Sequence, residues 1–149
     1  MSVRIAILVE GATEQAFKAK LREFLSARLP AGQMPRLDMV PCDGRIPTGD
    51  KLHRKVSNLL SGRSAADAVI ALTDVYTGTQ EFADAQEAKR KMAAWVGDEP
   101  RFHPHVALHD FEAWLLPYWT DIQRLAGSNR ASPGARPETV NHGKPQPII

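Results

Sequence analysis

"RIAILVEGATEQAF", residues 4 to 17, decides how the chain folds. Val3 to Val9 is a β-branched and nearly continuous apolar run, the pattern of a strand covered on both faces of a parallel sheet. From Thr13 the period changes. Phe17, Leu21, Phe24, Leu25 and Leu29 fall on one helical stripe, and Pro30 follows where the helix should stop. Between the two elements lies Glu10, with Glu14 one helical turn further on. A turn alone is served by Asn, Asp or Ser. A charged residue directly after "RIAILV" must sit at the rim of the core, and turn chemistry does not ask for it.

Working outward, strand and helix signals alternate. Arg36 to Val40 alternates in polarity and reads as a shorter, more peripheral strand. Thr48 to Leu60 reads as a helix with Leu52, Val56, Leu59 and Leu60 on one face. Ala68 to Leu72 is a second continuous apolar run, hence a central strand next to the first. Phe82, Ala85, Ala88, Met92, Trp95 and Val96 form a third helical stripe. His105 to Leu108 is a fourth strand, followed by a helix from near Phe111. The order βαβαβαβα predicts an α/β fold, a parallel four-stranded sheet with helices on both faces. The expected domain covers residues 1–127. Residues 128–149, rich in Pro, Gly, Asn and Ser, read as an irregular tail and as a truncated continuation of the domain.

In such a sheet ligands bind beyond the carboxyl ends of the strands. Acids fall there after three of the four strands: Glu10, Asp74, and Asp110 with Glu112. Glu14 adds a fifth. Two carboxylates about 4 Å apart repel by roughly 4 kcal/mol at an effective dielectric near 20, so the cluster calls for protons, basic partners or a cation. Hard oxygen donors of this kind suit Mg²⁺. Each acid also has a structural role open to it. Glu14 and Glu112 suit the first turn of a helix, Asp110 suits an N-cap, and Asp74 can begin the turn before Gly78.

Other side chains offer less. His103, His105 and His109 would share one face of a strand, without the Cys or H-E-x-x-H partners of a zinc site. His109, at the productive end, can carry a proton. No P-loop, dinucleotide fingerprint or G-x-S-x-G elbow is present. Cys42 suits a small buried position, and Trp114 and Trp119 suit core or interface packing. Lys51, Arg54, Lys55, Lys89, Arg90 and Lys91 suit solvated helix faces, or phosphates if they flank the acids.

Composition sets the outer limits. The chain has 149 residues, 43% hydrophobic and 24% charged, as in an ordinary globular domain. A net charge of +2 permits a local basic face but does not mark a nucleic-acid binder. One cysteine excludes an internal disulfide framework. No stretch has the length of a signal peptide or membrane span, so a cytoplasmic location is expected.

"LVEGATEQAF" resembles the first motif of Toprim domains, above all those of overcoming-lysogenization-defect nucleases. The series "VEGATEQAF", "LTDVYTGTQEF", "HDFEAWLL" and "PETVNHGKP" resembles, more specifically, the bacterial domain of unknown function 4276, grouped with Toprim-like proteins. The resemblance implies a Toprim-like fold. It places Glu10 on the Toprim glutamate, a general acid/base or metal ligand, and Glu14 on the second acid of the nuclease branch. Asp74 falls on the first aspartate of the D-x-D motif, with Tyr76 where the second would be. His109, Asp110 and Glu112 fall on the family's H-E-F-E segment. Glu112 then supplies the ligand Tyr76 cannot.

The function so implied is Mg²⁺- or Mn²⁺-dependent cleavage of phosphodiesters in DNA or RNA. Glu10, Glu14, Asp74 and Glu112 would hold the metal; Glu10, His109 and Tyr76 would do the chemistry. Phage or mobile-element defence beside an ATPase partner is what the nuclease resemblance suggests. The alternatives are a non-catalytic partner module of an ATPase and another nucleotide- or phosphate-binding α/β protein.

Overall fold

In the computed structural model, residues 2–74, 82–107 and 118–126 are described. Strands β1 (Arg4–Val9), β2 (Arg36–Pro41), β3 (Ala68–Asp74) and β4 (Phe102–Ala107) form one sheet in the order β2-β1-β3-β4. All three pairings are parallel. The two apolar runs, β1 and β3, are adjacent and central, as their continuous hydrophobicity predicts.

Side chains of β1 alternate between two cores. Ala6 and Leu8 join a large cluster with Val69, Ala71, Leu52, Val56, Ala88 and Met92. That cluster lies under α3 (Gly49–Leu59) and α4 (Ala85–Val96). Ile7 and Val9 face the other way, into a smaller cluster with Leu37, Leu21 and Leu25, beneath α1 (Ala12–Ala16) and α2 (Lys18–Ser26). Helices thus stand on both faces. A fifth helix, α5, spans Trp119–Ala126.

Three boundaries differ from the sequence reading. The stripe expected to run unbroken from Thr13 to Leu29 is two helices. At the junction the Phe17 amide donates to Glu14 three residues back (3.2 Å), a tighter step than the α-helical one. β3 continues past Leu72 through Thr73 and Asp74; the turn expected before Gly78 lies outside the described residues. β4 begins at Phe102, three residues early, because Pro104 is tolerated on an edge strand. Leu108 and the helix expected near Phe111 lie outside the described residues, as does the tail from 128.

α4 owes its start to local chemistry. The Asp84 carboxylate accepts from the Glu87 amide at 2.7 Å, and Glu87 reaches back to the Ala83 amide at 2.5 Å. This reciprocal arrangement resembles a capping box. Asp84→Ala is expected to lower stability by about 1 kcal/mol, read as an earlier urea midpoint with an unchanged slope.

Candidate functional site

The carboxyl ends of the strands lie along one edge. Leu8 pairs with Ala71, which brings Glu10, just past β1, level with Thr73, and Asp74 pairs with Ala107 at the ends of β3 and β4. Glu10 follows β1 immediately. Its backbone is pinned by the next stretch of chain after β2: the Cys42 amide donates to Val9 (2.9 Å) and the Gly44 amide to Glu10 itself (2.7 Å). The turn that makes this possible has positive φ at Asp43 (53°) and Gly44 (99°), conformations that Asp tolerates and Gly adopts freely.

Register and alternation put Glu10 on the same sheet face as Leu8, Ala71 and Thr73. The Thr73 hydroxyl donates to Glu10 Oε1. Glu10 is only 5% exposed, Asp74 6% and Glu14 8%, which is unusual for carboxylates. Beside them is a cavity of about 10 Å³, walled by Glu10, Thr73 and Asp74 on the sheet and by Arg45 and Thr48 from the loop before α3. Such a space admits about one water-sized occupant.

The electrostatics follow from burial. The Glu10 carboxyl is pushed up from 4.5 to about 7, first by desolvation. The Thr73 hydroxyl and the Asp74 amide, which favour the charged form, pull it back in part, while the charges of Asp74 and Glu14 raise it further. The thiol of half-buried Cys42 is raised for the same principal reason, desolvation.

Glu14 takes a specific local role. Its Oε2 accepts from the Gly11 amide at 3.0 Å, satisfying a donor at the start of α1. Tyr76, His109, Asp110 and Glu112 lie outside the described residues; by sequence, Tyr76 is two residues beyond Asp74 and His109 two beyond Ala107. Among the described residues no group of three or more His, Cys, Asp or Glu is placed to hold a metal ion. His103 and His105 are both exposed, on the β4 face that pairs with Ile70 and Leu72, opposite the face of Glu10.

Thr73, Arg45 and Thr48 escape a reading based on acids. Thr73 looks like one more β-branched strand residue until the register places it level with Glu10. The "CDGRIPT" loop carried a usable signal: an Asp-Gly turn directly after a parallel strand lies at the ligand-binding edge.

Residues 9–148 match a family described as "Domain of unknown function (DUF4276)". No curated protein and no solved structure matches the chain. Among the described residues no helix is long and apolar enough to cross a membrane.

Proposed function

The chain belongs to the DUF4276 family, and from that premise we propose that it is a Mg²⁺- or Mn²⁺-dependent Toprim-like phosphodiesterase acting on DNA or RNA. The observation that carries the reading is Glu10: a carboxylate buried at the ligand-binding edge, oriented by Thr73, next to a second buried acid and a water-sized cavity. Buried acids this close oppose one another's ionisation, and a hard cation relieves the conflict with oxygen donors it prefers. The donor set therefore fits the ion. Glu10 and Asp74 would hold it, with Glu112 and Glu14 completing the protein's share.

When bound, the ion supplies positive charge to a phosphoryl oxygen and makes water more acidic. The remaining work falls to the chain. Glu10, ionised once it holds the ion, is suited to accept a proton from the attacking water. The Thr73 hydroxyl, donating to Oε1, holds the Glu10 carboxylate in place. Arg45, on the cavity wall, offers charge to a phosphate. His109 shares the proton traffic and Tyr76 donates to a phosphate oxygen. An ATPase partner and a role in phage defence belong to the same proposal, on the strength of the Toprim resemblance.

The test is cleavage of labelled single- and double-stranded DNA and RNA by the purified chain. Activity should require Mg²⁺ or Mn²⁺ and fall at least 100-fold, of the order of general acid–base catalysis, in Glu10→Gln and in Asp74→Asn. Activity that survives chelation, or is undiminished in both variants, would reject the assignment. No cleavage of any substrate would favour the partner-module alternative.

A further inference from the structure

The small net charge of the chain means that a basic surface has to be sought locally. α3 is where one meets the candidate site. Thr48, directly before the helix, walls the cavity together with Arg45, so α3 starts at the carboxyl edge of the sheet. It ends at the other edge. Past its last turn the Ala66 amide donates to Leu59 (2.7 Å) and the Asp67 amide to Arg4, at the start of β1 (2.8 Å). The helix therefore leads away from the cavity across its face of the sheet.

Its two flanks differ. Leu52 and Val56 are buried against the sheet. At about 100° per residue, His53 falls to one side of this stripe and Lys51 and Lys55 to the other. His53 Nδ1 donates to the Val96 carbonyl of α4 at 2.9 Å, so the lysines lie on the flank away from α4. There Lys55 approaches the chain that follows β2: its charge, like that of Glu10, acts on the Cys42 thiol. Arg45, Lys51 and Arg54 are exposed, and Lys55 is half-buried.

Among the described residues no carboxylate forms an ion pair with any of these four cations, whereas Lys20, Lys91 and Arg101 each have one. Lys51 and Lys55 are like charges one turn apart, about 5–6 Å at Cβ, and repel each other. Residues 43–55 hold four Lys or Arg against two acids, Asp43 and Asp50, so the excess stays positive. A single phosphate would engage only one or two of the four. A row that begins at the cavity wall and continues along a helix matches a polyanion whose charges recur along its length. Charge alone does not single out α3, because α2 carries Lys18, Lys20 and Arg22. α2, however, belongs to the opposite sheet face.

We propose that Arg45, Lys51, Arg54 and Lys55 form a track for a nucleic-acid backbone, which leaves the cavity along the α3 flank turned away from α4. The track rests on the phosphodiesterase reading for its substrate class and adds the route of the strand. Its contacts are to phosphates, so binding is indifferent to base sequence and steeply dependent on salt.

Fluorescence anisotropy with short labelled single strands and duplexes of DNA and RNA tests the track, in EDTA so that the metal site plays no part. Combining Lys51→Gln, Arg54→Gln and Lys55→Gln should weaken binding about tenfold or more at low salt, and lower the slope of log affinity against log salt by about 2–3. The charge-matched control on α2, combining Lys18→Gln, Lys20→Gln and Arg22→Gln, should leave both close to wild type. Lys51→Arg with Lys55→Arg, which keeps the charges, should bind as the wild type does. Equal losses in the two triple variants would overturn the track in favour of diffuse charge. An undiminished α3 triple variant would overturn it outright. Both of these results leave the phosphodiesterase reading standing. If the wild-type chain binds none of the probes, the track falls together with that reading, and an acidic protein surface becomes the partner that fits the flank.

Discussion

In metal-free buffer, stability is expected to fall as pH rises from about 4.5 to 7, and Glu10→Gln to abolish that part of the fall. The Glu10 carboxyl titrates near 7 in the folded chain against an ordinary 4.5. Between these values the folded state holds a proton that the unfolded state has released, so folding is favoured at the acid end of the window. Raising the pH through it removes the advantage, and above about 7 a charged carboxylate must be kept buried. A shift of this size corresponds to about 3 kcal/mol. Gln keeps an oxygen to accept from Thr73 and has no charge to bury. The variant should therefore match the wild type near pH 5 and exceed it by about 2–3 kcal/mol at pH 8. Thr73→Val, which removes a donor to the charged form, should move the wild-type window upward. Urea denaturation across pH 5–8 measures all three. Parallel profiles for wild type and Glu10→Gln would show that burial does not set the Glu10 titration.

The second large effect is stabilisation by a divalent ion. An ion that binds only the folded chain adds about 2.7 kcal/mol at one hundred times its Kd. For a domain of this size that is a rise in Tm of roughly 5–10 °C. The rise should shrink in Glu10→Gln and Asp74→Asn, which each remove a charged oxygen donor. Glu14→Gln should do less, because the Glu14 carboxylate is already engaged with the Gly11 amide. The rise should also be smaller at pH 6 than at pH 8, since below about 7 the ion must displace the Glu10 proton. Thermal melts with Mg²⁺, Mn²⁺ and chelator decide this; unchanged melting temperatures would contradict it.

The sheet was legible because its two central strands are apolar on both faces and its helices announce themselves by period. β1, β3, α3 and α4 follow from Ile5–Val9, Ala68–Leu72, Leu52/Val56 and Ala88/Met92 alone. The break at Phe17 was not legible, because Phe17 fits the helical stripe on either side of it and only the backbone step reveals the junction. β4 began earlier than expected because "FHPH" hides a strand behind a proline and two histidines that edge placement makes acceptable.

At the site, Glu10 stood out because a charge after an unbroken apolar run has few structural explanations. Its partner Thr73 did not, since strand register is a tertiary property that spacing along the chain does not encode. Glu14 has a local role besides the one the motif gives it: its Oε2 accepts from the Gly11 amide, as the dipole of a helix start favours. Tyr76, His109 and Glu112 fall outside the described residues, and their roles rest on the motif resemblance.

The most direct measurement is Mn²⁺ binding itself, followed by the electron paramagnetic resonance signal of the free ion at pH 8. The account predicts saturable binding in the wild-type chain, competed by Mg²⁺, and its loss in Glu10→Gln and Asp74→Asn. Binding of equal strength in all three proteins, or none at millimolar ion, would contradict a metal centre at the Glu10–Asp74 edge.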